Sequence, residues 1–223
     1  MADVRAPRAA TPRAVLWDLD GTLVDTEPYW IAAEYALAEE HGGTWSQEHA
    51  LQLVGNDLVD SGHYIREVLG LEMSAADIVD YLLDRVVAQA QEAVPWRPGA
   101  VELLAALRAA GVPCGLVTMS YQRLVAPVVA HLPPETFRVI VTGDEVEKGK
   151  PHPEPYLTAA AALGLRPEEC VAIEDSNTGA TSAETAGCPV LVVENHVAVT
   201  AAPRRTFAAS LTDVTVESLA ELV

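Results

Sequence analysis

Two aspartates one residue apart, Asp18 and Asp20, close a short apolar run and are followed by Gly21-Thr22. Alternate residues of an extended chain point to the same side, so the pair brings two carboxylates together. A calcium loop would need D-x-D-x-D-G, and here glycine comes one residue after the second aspartate. A polar turn is the competing reading. Three further segments carry chemistry-bearing groups. Val117-Thr118-Met119-Ser120 offers a hydroxyl and backbone N–H groups where a strand gives way to a helix. That is an anion site, or an ordinary helix cap. In Gly149-Lys150-Pro151-His152-Pro153 two prolines stiffen the chain around one lysine. It is not a P-loop, because proline follows the lysine in place of Ser or Thr; a solvated loop lysine is the alternative. Glu174-Asp175 sets two carboxylates side by side. They can complete an oxygen-only site for a hard cation such as Mg²⁺, unless Asp175 or Asn177 only caps the following helix.

These groups need elements that bring them to one place. Ala14 to Trp17, Val112 to Thr118, Arg138 to Thr142, Cys170 to Glu174 and Pro189 to Val193 are short runs without polar alternation, as expected of strands buried on both faces. Helical spacing follows Pro98-Gly99 up to Gly111, and again over Ser120 to His131, Glu154 to Leu163 and Thr178 to Ala186. Alternating strands and helices with short links predict an α/β fold: a Rossmann-like parallel sheet core with helices on both faces. Each of the four chemical segments then sits at the carboxyl end of a strand, where open sheets of this kind bind ligands. From Thr26 to Trp96 the rhythm breaks. No strand-like run occurs, and Thr44-Trp45-Ser46-Gln47 and Ser74-Ala75-Ala76-Asp77 have capping-box spacing. The expected organisation is a tail at 1–13, a core built from 14–25 and 97–223, and an all-helical cap at 26–96, with hinges near Val24 to Thr26 and Pro95 to Pro98.

Composition narrows the partners. The chain has 223 residues, 50% hydrophobic, with a formal charge of −18. Such acidity argues against nucleic acid and anionic membrane surfaces. Three scattered cysteines without C-x-x-C suggest free thiols in a reducing compartment, and a cytoplasmic monomer is expected. Of the 14 basic residues only Lys148 and Lys150 are lysines, so the insertion has none.

At DLDGT (Asp18 to Thr22), Thr118, Lys150 in GKPHP and EDSNTG (Glu174 to Gly179), the chain resembles the haloacid dehalogenase-like superfamily. It is most similar to the helical-cap branch of β-phosphoglucomutases, phosphoglycolate phosphatases and sugar-phosphate phosphatases. The resemblance implies that Asp18 is a nucleophile forming an aspartyl-phosphate and that Asp20 is the acid and then the base. It implies that Thr118, with Met119 and Ser120 beside it, holds the phosphoryl oxygens and that Lys150 neutralises charge. It also implies Mg²⁺ held by Asp18, the carbonyl oxygen of Asp20 and Asp175, with Glu174 directly or through water. Dehalogenating relatives lack the second aspartate, and phosphonate-cleaving relatives need a cap lysine; neither activity fits. No G-x-G-x-x-G follows the first strand, which excludes a dinucleotide-dependent dehydrogenase. Mutases of the branch also use a cap lysine, and a histidine where this chain has Trp30. The expected activity is therefore hydrolysis of a small sugar or polyol phosphate, with a phosphosugar mutase or a non-catalytic small-molecule binder as alternatives. Glu27, Trp30, Asn56, Asp57, His63 and Arg66 are the expected cap residues facing the crevice.

Overall fold

The protein is described by a computed structural model covering residues 11–223. Residues 1–10 of the expected tail lie outside the described residues. Within the rest of it Pro12 is buried and Arg13 Nη1 lies 3.4 Å from Glu169 Oε1. The first strand, β1 (Ala14–Trp17), is completely buried. The chain then runs through four helices, α1 (Glu27–Glu40), α2 (Gln47–Leu51), α3 (Leu58–Leu69) and α4 (Ala75–Glu92), before the sheet resumes. There follow α5 (Ala100–Ala110), β2 (Cys114–Val117), α6 (Gln122–Val129), β3 (Val139–Val141), α7 (Glu154–Ala162), β4 (Cys170–Glu174), α8 (Asn177–Ala186), β5 (Val190–Val192), β6 (Arg205–Phe207) and α9 (Val216–Ala220). All pairings in the sheet are parallel, in the order β3-β2-β1-β4-β5-β6. Among the described residues no helix is long and apolar enough to cross a membrane.

Alternation along β1 divides the interior in two. Val15 and Trp17 pack with Leu104 and Leu107 of α5 and Leu124 and Val128 of α6. Ala14 and Leu16 pack with Tyr156 and Ala160 of α7 and Ala180 and Ala183 of α8. The sheet thus has helices on both faces, as the unbroken apolar runs require. Strand order reverses between the neighbours β1 and β4, and a crevice opens at such a point.

All five expected strands are present, β1 and β4 at the expected bounds and the other three shorter. Val112 to Thr118 narrows to Cys114–Val117, starting after Pro113, whose missing N–H cannot enter a ladder. β6 was not expected: three residues at a sheet edge, half-buried to exposed, carry no apolar signal. In the insertion, Ser74 and Asp77 form the expected capping box. The earlier segment is corrected: Ser46, not Thr44, caps α2, its oxygen accepting from the His49 N–H.

α4 is the spine of the insertion, packed on α1 and α3 and also on α6. Arg123 of α6 pairs with Asp84 of α4 and lies 3.5 Å from Asp80. The outgoing and returning chains run side by side: the Asp25 N–H donates to Pro95 O (2.7 Å) and the Arg97 N–H to Leu23 O (3.0 Å). Asp25 also accepts from Asn195 Nδ2 at 2.9 Å and lies 2.7 Å from His196 Nε2.

The Ser74 cap satisfies one of the free N–H groups that open α4. Ser74→Ala should lower stability by about 1 kcal/mol in urea unfolding; an unchanged midpoint would remove the capping role.

Candidate active site

Strand register does the first positioning. Trp17 of β1 pairs with Ile173 of β4, so the next residues, Asp18 and Glu174, emerge side by side. The Asp18 N–H still donates to Ile173 O at 3.1 Å, which holds that alignment. On the other flank Trp17 pairs with Leu116, and the Thr118 N–H donates to Val141 O at 3.0 Å. Three adjacent strands therefore deliver Asp18, Thr118 and Glu174-Asp175 to one edge. Gly21 turns the chain away at φ 87°, and a Cβ there would lie 2.0 Å from Asp175 Oδ2. Both the conformation and the space require glycine.

Lys150 enters from the loop after β3. Its side chain is 3% exposed, and Nζ lies 2.6 Å from Asp18 Oδ1 and 2.7 Å from Glu174 Oε1. The Tyr156 hydroxyl, from α7, donates to the same Glu174 oxygen at 2.6 Å. Burial alone would lower the lysine pKa, but the Asp18 and Glu174 carboxylates outweigh it and hold the ammonium above the usual lysine range. Burial pushes Asp18 up to about 7 against the pull of Lys150, with the negative charge of Glu174 adding to the rise. Burial first, and then Asp18 and Glu174, raise Asp175 well above the carboxylate range. One ammonium does not balance three buried carboxyls.

Asp18, Glu174 and Asp175 each present an oxygen, and the three oxygens lie within 4.8 Å of one another. Asp18 Oδ2 and Asp175 Oδ2 are buried without a hydrogen-bond partner among the described residues. Oxygen-only donors, surplus negative charge and two orphaned oxygens fit a hard divalent cation such as Mg²⁺. Glu174 Oε1 is already taken by Lys150 and Tyr156, which leaves Oε2 on the side of Ser176.

Asp20 faces the other way, toward the insertion. Its Oδ1 accepts from Thr26 Oγ1 and from Trp30 Nε1 (3.4 Å). Its Oδ2 accepts from Ser120 Oγ (2.6 Å) and Thr118 Oγ1 (3.4 Å). The Ser120 N–H donates to Thr118 Oγ1, and the Lys150 N–H reaches Met119 Sδ at 3.1 Å.

A pocket lies between the strand ends and the insertion, and it receives most of the residues expected there. Asp18, Asp20, Thr118, Met119, Ser120, Lys150 and Asp175 form its floor; Glu27, Trp30 and Asn56 stand on the wall given by the insertion. Glu174 sits beneath, completely buried. Three expected cap residues are not brought to it. Asp57 instead caps α3 through Val59 and Asp60, and His63 and Arg66 are exposed. The reason is helical phase, since the face of α3 turned inward carries Ser61 and Ile65. Four residues escaped the sequence reading: Thr26, Glu34, Ser61 and Tyr156. For Glu34 a signal existed, because Glu27, Trp30 and Glu34 follow i, i+3, i+7 spacing along one face of α1. Tyr156 gave none, lying in a helix whose position relative to Glu174 only the folded chain reveals.

Residues 15–193 match the family model of haloacid dehalogenase-like hydrolases. The chain is 36% identical to hexitol phosphatase A of Escherichia coli over 186 residues, 81% of this chain and 82% of that protein. It is 35% identical to phosphoglycolate phosphatase of Salmonella typhimurium over 199 residues, 79% of each. The crystal structure of CbbY from Rhodobacter sphaeroides in complex with xylulose-(1,5)-bisphosphate superposes with a TM-score of 0.78 at 28% identity, over 91% of this chain and 96% of that one. The β-phosphoglucomutase of Clostridium difficile shares the fold, with a TM-score of 0.80 at 23% identity over 95% and 96%.

A cation at the orphaned oxygens should stabilise the folded chain. At 100 times its Kd, Mg²⁺ should add about 2.7 kcal/mol, visible as a higher Tm, and Asp175→Asn should remove most of that gain. An unaltered Tm in the unsubstituted protein would overturn the ligand set.

Proposed function

The chain belongs to the haloacid dehalogenase-like hydrolase family, and on that premise we propose that it is a Mg²⁺-dependent phosphatase of small phosphate monoesters. The substrate class is the sugar and polyol phosphates, and the intermediate is a phosphorylated Asp18. The observation that carries this reading is the division of labour between the two aspartates. Asp18 lies against Lys150 and the orphaned oxygens, while Asp20 is turned to the pocket wall in reach of four donors. The relatives named for hexitol and for phosphoglycolate are both phosphatases. The three free cysteines are all buried, in keeping with a reducing cytoplasm.

In this mechanism the Asp18 carboxylate attacks phosphorus and the ester P–O bond breaks. The leaving oxygen takes the proton carried by Asp20. Water then attacks the phosphorylated aspartate, Asp20 takes its proton, and the P–O bond to Asp18 breaks. The products are the alcohol and inorganic phosphate. Two displacements through a covalent intermediate replace one difficult step. The obstacle is charge: each like-charged pair about 4 Å apart costs about 4 kcal/mol at an effective dielectric of 20. Lys150 offsets part of it, and nearby backbone N–H groups receive the phosphoryl oxygens, joined by the Thr118 and Ser120 hydroxyls once these turn from Asp20. Asp18, Asp175 and the carbonyl oxygen of Asp20 would hold Mg²⁺, with Glu174 reached through Oε2 or water. When bound, the ion supplies charge neutralisation and orientation at the phosphoryl oxygens.

The second reading is a phosphosugar mutase. Trp30, which stands where mutases of the branch carry a histidine, does donate to Asp20 at 3.4 Å, so a positioning contact exists there. Hydrolysis is favoured because the insertion has no lysine for a second phosphate.

The test is an assay of purified protein with Mg²⁺ on sugar and polyol phosphates, reading free phosphate and isomerised substrate separately. Phosphate release should be abolished in Asp18→Asn and lowered about 10²- to 10⁴-fold in Asp20→Asn. Isomer without phosphate release would establish the mutase instead.

A further inference from the structure

The wall that the insertion contributes to the pocket has an unusual charge pattern. α1 supplies Glu27, Trp30 and Glu34, and Asn56 and Ser61 add polar groups. The two carboxyl groups have no cationic partner there. The half-buried Glu27 carboxyl group has no hydrogen-bond partner among the described residues. Glu34 is 3% exposed, and one of its oxygens, Oε2, accepts from Trp45 Nε1 at 2.9 Å. Lys150 is the one cation among the lining residues, and its ammonium is already shared by Asp18 and Glu174. The arginines and histidines of the insertion are engaged elsewhere or turned outward. Arg85 pairs with Glu40 at 2.7 Å, Arg66 Nε reaches Leu71 O, and the His49 ring packs at a tilt against Trp45. His41 and His63 are exposed.

A substrate bound with its phosphate against Asp18 must place its other end on this wall. A second anion there would be buried among carboxyl groups without a counter-ion, an expensive arrangement. Hydroxyl groups meet the opposite case, since a carboxylate accepts O–H bonds and a carboxylic acid both donates and accepts them. We propose that Glu27 and Glu34 select the non-reacting end of the substrate, hydrogen-bonding an uncharged polyhydroxylated tail and rejecting a tail that carries a second carboxylate or phosphate. This rests on the phosphatase reading of the same site and names its specificity residues. Burial, then Glu34, Asp20 and Asp25, push Glu27 up to about 8; burial pushes Glu34 up to about 7 against the Trp45 hydrogen bond. Both groups hold or share a proton near neutrality, which suits hydroxyl recognition in either state.

The experiment measures kcat/KM with Mg²⁺ for three kinds of monoester. One is p-nitrophenyl phosphate, the second a hexitol or glycerol phosphate, and the third phosphoglycolate or a sugar bisphosphate. Hydrolysis of p-nitrophenyl phosphate tests the phosphatase reading alone. If it fails, that reading falls, and this proposal with it. If it succeeds, the unsubstituted protein should favour neutral over anionic tails by about 100-fold. Equal rates for both kinds of tail would overturn the selection while leaving the phosphatase standing. Glu27→Gln and Glu34→Gln keep the side-chain shape, and glutamine at 34 can still accept from Trp45. Each should narrow the neutral-to-anionic ratio about tenfold when assayed above about pH 8, where both glutamates are charged. A ratio unmoved in both variants, with Tm unchanged, would show that the wall does not choose the tail.

Discussion

Everything at this site depends on one buried ammonium. Among the described residues Lys150 is the one cation paired with Asp18 and Glu174, and it is nearly inaccessible to water. Breaking such a cluster by removing the cation costs more than the pair contributes, because the carboxylates stay buried and uncompensated. The surrounding chain is arranged to keep that ammonium in place. The Tyr156 hydroxyl fixes the oxygen of Glu174 that Lys150 uses, and its ring lies 5.3 Å from Nζ. The parallel register of β1 and β4 fixes the spacing of the two carboxylates that Lys150 spans.

The core and the insertion contribute different kinds of information. The strand ends supply groups suited to a phosphoryl centre, and these follow from sheet register. The insertion supplies a wall whose polar groups come from α1, the 53–56 loop and α3. Its approach to the core is tight: a Cβ on Gly55, at φ 76°, would come within 2.9 Å of Ser176 Oγ. Aspartate 20 touches both worlds, receiving Thr26 and Trp30 from one side and Thr118 and Ser120 from the other. The full set of four bonds to Asp20 therefore exists only where the two parts meet.

How much could be read from the residues follows from the range of the forces involved. Strands buried on both faces reveal themselves through unbroken apolar runs, and with them the convergence of Asp18, Thr118 and Glu174-Asp175. Lys150 was legible because it is one of only two lysines. What stayed hidden depended on packing between distant segments. The edge strand β6 forms through pairing with β5, not through its own pattern. The phase of α3 turns Arg66 and His63 outward, and here a local signal did exist, since Leu58, Ile65 and Leu69 lie on the inward face. The Tyr156–Glu174 bond joins residues 18 apart through the fold of the sheet.

The paired crossing between sheet and insertion has an evolutionary consequence. Leu23 to Asp25 and Pro95 to Arg97 run hydrogen-bonded to each other, so the insertion leaves and rejoins the core at a single point. Nothing in the sheet is threaded through it. An inserted segment with adjoining ends can be lengthened, replaced or recombined without redrawing the strand order. A lineage can thus keep one reaction centre and trade the module above it, changing which molecules are admitted while the chemistry below is inherited intact.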